Sequence, residues 1–225
     1  MLISYCLPCH KRTSDLVQAL PFVVKAAEAD GATEIVVVDY ANPKEGTIWP
    51  IVGRIQEDIP VYVRIYTERD HFHMSHARNL SIRSAGGVYV VIGSSDLCPQ
   101  PDFFKSIRKR IVETGATLLK PADDTYRGVI VCKRSELIAA GGYDERIEMY
   151  GAEDKDLQAR LERRGVSTAY YEPYLAMIRT TNDQKVANYR LKLTKTEMMA
   201  HGDLVYRANV AAGQLVANEG VPWGE

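Results

Sequence analysis

"GVYVVIGSSDLCP", residues 87–99, decides how the chain is to be read. Val88 to Ile92 form an unbroken apolar run of strand length, the pattern of a strand covered on both faces. The run stops at Ser94, Ser95 and Asp96, and Pro99 follows. A lone carboxylate where a buried strand meets a loop can hold a metal, cap a turn or do neither, so its neighbours must decide its role.

Similar runs recur upstream. "LISYCL" at 2–7, "EIVVVDY" at 34–40 and "VYVRIYT" at 61–67 read as further strands. Between them lie helical patterns. "TSDLVQALPFVVKAAEAD", 13–30, has Thr13 or Ser14 as N-cap and Pro21 as a start or kink. "MSHARNLSIRSA", 74–85, is stopped by Gly86-Gly87, and "PDFFKSIRKRIVETG", 101–115, has Pro at its start and Gly at its end. Strand–helix alternation predicts an α/β fold, with a Rossmann-like, doubly wound, mostly parallel sheet flanked by helices. Ligands of such sheets sit at the carboxyl ends of the strands. Those ends are Pro8-Cys9-His10, Asp39 and Ser94-Ser95-Asp96. No GxGxxG follows the first strand and no GxxxxGK[ST] occurs, which disfavours dinucleotide and P-loop sites.

Composition narrows the function classes. The chain has 225 residues, a net charge of −1, 46% hydrophobic and 25% charged residues, which suits one α/β domain. That balance gives no argument for nucleic acid or a membrane surface as an obligatory partner. The apolar runs are too short for a transmembrane segment, and the basic residues of "MLISYCLPCHKR" follow the apolar run, the wrong order for a secretory signal. Cys6 and Cys9 form "CLPC", a redox or metal pair or, as favoured here, a buried strand end. The four cysteines suit a reducing, cytoplasmic location.

The second half changes character. "YRGVIVCKRSELIAAGGYDE", 126–145, reads as strand, short helix and Gly-Gly turn; "TAYYEPYLAMIRTT" as one or two strands broken by Pro173; "NDQKVANYRLKLTKTEMMAHG" as one basic amphipathic helix; and the tail from Asp203 as weakly patterned. The expected layout is a single domain over 1–202, with a nucleotide-type binding half (1–100) and a second half (101–202) of different character, followed by a tail at 203–225.

Three constellations can carry chemistry. Asp39 and Asp96 end two strands of one sheet and are expected to face one crevice, one accepting from a base or ribose, the other holding a hard cation on phosphates. "HFHMSHARN", 71–79, places Arg78 near a helix N-terminus suited to phosphate oxygens; His71, His73 and His76 fit no standard metal spacing and read as solvated loop histidines. "GAEDKD", 151–156, sets Glu153 and Asp154 at a helix start, where the ionised form is favoured and a general base towards a hydroxyl becomes possible.

Taken together, "IVVVD", "ARN" before a strand ending in a carboxylate motif, and "GGYDERIEMYGAEDKDLQARLERRG" resemble the nucleotide-sugar glycosyltransferases of the GT-A fold. "RGVIVCKRSEL" and "LAMIRTTNDQKVANYRLKLTKTEMM" bring the second half closest to the β-1,4-galactosyltransferase family and its N-acetylgalactosaminyl relatives. The resemblance implies inverting transfer of a hexose (galactose, N-acetylgalactosamine or glucose) from a UDP-sugar to an acceptor hydroxyl. It implies Asp154 as base and Glu153 as a sugar ligand. Asp39 would contact uridine, with Pro8, His10, Arg78 and Ser95 around the nucleotide. Gly128 and Val129 would line the donor sugar, and Tyr150 would stand on a loop closing over it. A divalent cation, Mn²⁺ or Mg²⁺, would meet Asp96 and Met177. Two departures weaken that metal: Ser94-Ser95-Asp96 stands where the family has Asp-x-Asp, and Thr180 replaces a histidine. A charge-based alternative uses Arg78 or Arg179 on the phosphates. The acceptor is expected to be a glycan or other hydroxyl compound, with modified nucleic acid a lesser possibility suggested by basic helices. The other readings are a sugar nucleotidyltransferase, whose glycine-rich first loop is missing, and a non-catalytic sugar-nucleotide or glycan-binding module, which Glu153 and Asp154 argue against.

Overall fold

The structure, a computed structural model, describes residues 1–40, Ile48, Val52 and 60–225. Its first half is a run of parallel strands and helices: β1 (Ile3–Cys9), α1 (Thr13–Asp30), β2 (Thr33–Tyr40), β3 (Val61–Tyr66), α2 (Met74–Ser84) and β4 (Tyr89–Ile92). β5 (Leu97–Pro99), α3 (Phe103–Thr114), β6 (Leu118–Pro121), a 3₁₀ turn (Asp124–Tyr126), β7 (Val131–Lys133), α4 (Arg134–Ala139) and α5 (Glu153–Arg163) follow. β8 (Thr168–Tyr171), β9 (Leu175–Met177), α6 (Asn182–Val186) and α7 (Lys195–Ala211) complete the described elements. The main sheet has the order β3-β2-β1-β4-β7-β6-β8, and β5 pairs with β9 apart from it. β3, β2, β1 and β4 are mutually parallel, whereas β7 runs antiparallel to both β4 and β6. The expected α/β fold with a mixed, mostly parallel sheet is therefore present.

The unbroken apolar runs are explained by two covered faces. Alternate residues of one strand enter different cores, because side chains of a strand point to opposite sides. Tyr5, Leu7, Ile35, Val37 and Val91 meet Leu16 and Leu20 of α1 and Phe104 and Ile107 of α3. Cys6, Val36, Val90 and Ile92 meet Ile82 of α2, Leu137 of α4 and Leu157 and Leu161 of α5. Each such buried side chain contributes about 1.5–3 kcal/mol. Cys6 and Cys9 are free and buried inside β1, and burial pushes the Cys9 thiol up to about 12, which suits packing and not redox chemistry.

Several local expectations are corrected. Pro21 lies well inside α1, and its N-cap position is Arg12, without a side-chain cap, instead of Thr13 or Ser14. The helix expected from Asn182 is two helices, because "TKTE" supplies a second capping box: Thr194 and Glu197 start α7 as Thr181 and Gln184 start α6. α7 runs through 202 to Ala211, so a boundary drawn there cuts a helix. The residues after it are fastened to the body: Ala217 N–H donates to Ala140 O, and Gly224 N–H to Glu145 Oε1. His73 and His76 are buried and not solvated. Among the described residues no helix is long and apolar enough to cross a membrane.

Candidate active site

A cavity of about 760 Å³ opens at the carboxyl ends of the parallel strands. Pro8 and His10 from the end of β1 line it, with Ser94, Ser95 and Asp96 after β4 and Gly128 and Val129 before β7. Arg78 of α2, Tyr150, Glu153 and Asp154 at the start of α5, and Met177 of β9 complete the expected set. Most of the residues singled out from sequence thus converge.

Asp39 is set apart from this group. It is buried in β2, its Oδ2 accepts from Ile48 N–H at 3.1 Å, and it does not line the cavity. The expectation that Asp39 and Asp96 face one crevice is not met among the described residues: Asp39 is buried against Ile48, and Asp96 lines the cavity. Burial raises the Asp39 carboxyl, against the Ile48 hydrogen bond, and its Oδ1 is an enclosed acceptor without a partner among the described residues.

At the β1 end, the His10 ring stacks on Phe72 with centroids 5.4 Å apart and planes within 5°. His10 Nδ1 lies 2.6 Å from Tyr40 O. A carbonyl only accepts, so Nδ1 carries the hydrogen and the ring orientation is fixed.

The other end is built by a strained turn. Gly151 has φ 99° and Ala152 φ 70°, and α5 begins directly after them. A left-handed alanine costs about 1 kcal/mol, and it turns Glu153 and Asp154 into the cavity. Asp154 Oδ1 bonds Arg78 Nη1 and accepts from Tyr143 Oη at 3.2 Å. Arg78 Nη1 also lies 3.3 Å from Glu153 Oε1, and its guanidinium sits 5.0 Å from the centre of the Tyr143 ring. Asp154 Oδ2 makes no hydrogen bond among the described residues and lies against Gly128. Tyr143 was not singled out from sequence as a functional residue; it stands in the "GGYDE" turn, whose Gly141 and Gly142 both have positive φ.

Arg12 was also missed, although a cation just beyond a strand end is a readable signal. Its Nη2 lies 3.2 Å from Asp96 Oδ2, while Ser94 Oγ donates to Asp96 Oδ1 at 2.6 Å. Both oxygens of Asp96 are engaged. Met177 offers a soft thioether that suits neither Mn²⁺ nor Mg²⁺, and Thr180 offers only a hydroxyl. No group of three or more His, Cys, Asp or Glu among the described residues is placed to hold a metal. This donor set does not by itself make a divalent-cation site.

Comparison with known proteins places the fold. Residues 1–349 of S. aureus TarS in complex with UDP superimpose with a TM-score of 0.67, at 15% identity, over 93% of this chain and 71% of that one. Mannosyltransferase PcManGT from Pyrobaculum calidifontis, in complex with GDP-Man and Mn²⁺, gives 0.63 at 18% identity over 94% and 75%. The catalytic domain of Drosophila β1,4-galactosyltransferase 7 with xylobiose gives 0.59 at 15% identity over 88% and 78%. By sequence, residues 119–201 match the family model described as the N-terminal domain of galactosyltransferase. No curated protein matches by sequence. The fold is that of these GT-A structures, and residues 119–201 carry the sequence pattern of the galactosyltransferase model.

Proposed function

We propose that the chain is an inverting, UDP-sugar-dependent hexosyltransferase with Asp154 as its general base. One observation carries the reading: Asp154 Oδ1 is tied to Arg78 and Tyr143, while Oδ2 is left without a hydrogen bond in the cavity. A carboxylate fixed through one oxygen presents the other in a defined place, the requirement for proton abstraction from a bound hydroxyl. The acceptor oxygen attacks the anomeric carbon, the bond to UDP breaks on the opposite face, and the hydroxyl proton passes to Asp154 Oδ2. His10 and Phe72 form the nucleoside end, and Asp39 stands one strand over, in register with Cys9. Ser95 and Asp96 lie towards the diphosphate, Gly128 and Val129 beside the sugar, and Tyr150 at the rim.

Proteins of this fold have been seen with UDP, with GDP-Man and Mn²⁺, and with manganese, UDP-Gal and xylobiose together. A divalent cation, Mn²⁺ or Mg²⁺, would draw on Asp96 only after Arg12 has moved, and no step above runs through it. The acceptor is a hydroxyl-bearing glycan or similar compound.

The test is UDP release from a panel of UDP-sugars, with and without hydroxyl acceptors. Wild-type protein is expected to release UDP from at least one donor, and Asp154→Asn to lose at least about 100-fold in transfer while still binding UDP. No donor binding and no release would remove the transferase reading; full transfer by Asp154→Asn would remove the base assignment.

A further inference from the structure

Two carboxylates share one guanidinium at the floor of the cavity. Arg78 Nη1 bonds Asp154 Oδ1 and lies 3.3 Å from Glu153 Oε1. The other oxygen of Glu153, Oε2, is enclosed and has no hydrogen-bond partner among the described residues. The Tyr189 hydroxyl is likewise enclosed and unpartnered, and Glu153 is the charge that bears on it most. An ionised carboxylate oxygen buried without a donor is costly, and a proton on it removes the charge. The charged and titratable groups facing Glu153 are Arg78 from α2, Asp154 from its own helix, and Tyr143, Tyr150 and Tyr189 from the surrounding loops. One positive charge therefore stands against two carboxylates, and its closer contact is with Asp154.

We propose that Glu153 holds a proton in the working protein while Asp154 does not, so that Glu153 serves as a positioning residue for the base. The protonated Glu153 leaves Arg78 to Asp154, and the trio keeps one positive and one negative charge. An ionised Glu153 competes for Arg78 and adds negative charge where a nucleoside diphosphate must bind. Paired carboxylates driven apart by their surroundings commonly divide into one that keeps a proton and one that takes it. Burial, then the Asp154 charge, pushes the Glu153 carboxyl up to about 7, with Arg78 and the backbone N–H groups at the helix start pulling the other way. The inference rests on the proposed transferase reading for its effect on turnover, and not for the proton itself.

Glu153→Gln keeps the shape of the protonated side chain and cannot ionise. Wild-type kcat/KM for UDP release is expected to fall by about tenfold per pH unit above neutrality, as one proton is lost. Glu153→Gln, whatever its rate at pH 6.5, should show no alkaline fall in kcat/KM. Infrared spectroscopy of the whole protein at pH 6 supplies a readout free of turnover. A carboxylic-acid carbonyl band present in wild type and missing in Glu153→Gln supports the proposal; no such difference overturns it. A folded Glu153→Gln that keeps the alkaline fall overturns it as well. If wild-type protein releases no UDP from any donor, the transferase reading fails and the infrared band still decides the state of Glu153.

Discussion

A Cβ placed on Gly128 would lie 2.6 Å from Asp154 Oδ2. Gly128, three positions ahead of β7, therefore has no side chain for a reason of contact and not of backbone angle. The glycine leaves room for the one carboxylate oxygen that is free to accept a proton. Gly128→Ala is expected to push Asp154 off Arg78 and to lower kcat/KM at least about 100-fold, because a displacement of about 1 Å at the reacting groups carries that cost. The variant should remain folded by circular dichroism and keep its UDP affinity within a few-fold. Near-normal turnover would show that Oδ2 is not the reacting oxygen.

Arg12 and Asp96 form the second prediction. Arg12 Nη2 stands 3.2 Å from the oxygen that a divalent cation would need, and like charges do not share a carboxylate cheaply. Arg12→Met is expected to tighten Mn²⁺ binding to the UDP-loaded protein by several-fold and to make turnover more dependent on added metal. Titration followed by electron paramagnetic resonance measures both forms. Equal Mn²⁺ affinity in the two would mean that Arg12 does not compete for Asp96.

The sequence carried the fold well, because covered parallel strands write themselves as unbroken runs. "EIVVVDY" and "GVYVVIG" enter two cores at once, so no polar alternation interrupts them. The site was partly legible for the same reason, since strand ends converge and Glu153, Asp154, Arg78 and Asp96 meet in one cavity. Asp39 was misplaced because a strand-end position does not say which neighbour covers it. Tyr143 was missed because its contact with Asp154 crosses 11 positions from a Gly-Gly turn, which no local spacing encodes; Arg12, a cation just beyond a strand end, was a signal that could have been read, although its partner Asp96 lies 84 positions away. The single helix expected from Asn182 failed for a local reason that was readable: Thr194 with Glu197 is a start signal inside the pattern.

Acid stability follows from the buried histidines. His73 Nδ1 accepts from His76 N–H at 3.3 Å, and Nε2 therefore carries the hydrogen that meets Glu145 O at 3.0 Å. Burial, with Arg69 next, lowers His73 to about 3, and burial lowers His76 as well. A histidine whose folded pKa is depressed binds its proton in the unfolded chain first. Its contribution is present above about 6.5 and is lost as pH falls from there towards about 3. Thermal unfolding followed at pH 7.5, 6, 5 and 4 is expected to show Tm falling across that window, and His73→Asn, which keeps a cap oxygen and cannot titrate, should flatten the fall. An unchanged pH dependence in that variant would assign acid lability elsewhere.

The last prediction concerns Asn218, far from the chemistry in sequence and joined to it through one turn. Its Nδ2 donates to Gly141 O at 2.8 Å and Tyr143 O at 2.7 Å, and its Oδ1 accepts from Glu145 N–H at 3.0 Å. Asn79 reaches the same turn from α2, donating to Tyr143 O at 2.9 Å and accepting from Tyr143 N–H at 2.7 Å. The turn is thus clamped from both sides, and Tyr143 carries that rigidity to Arg78 and Asp154. Asn218→Ala removes three hydrogen bonds and leaves Asn79 in place. A loss of about 2–3 kcal/mol is expected, near 1 kcal/mol for each bond, or roughly 5–10 °C in Tm for a chain of this size. Because Tyr143 would still be held by Asn79 but less firmly, kcat should fall by about tenfold with little change in UDP affinity. A variant that loses stability and keeps its kcat would show that the strap supports the fold without setting the base; one that keeps both would show that these hydrogen bonds are exchanged for water at no cost.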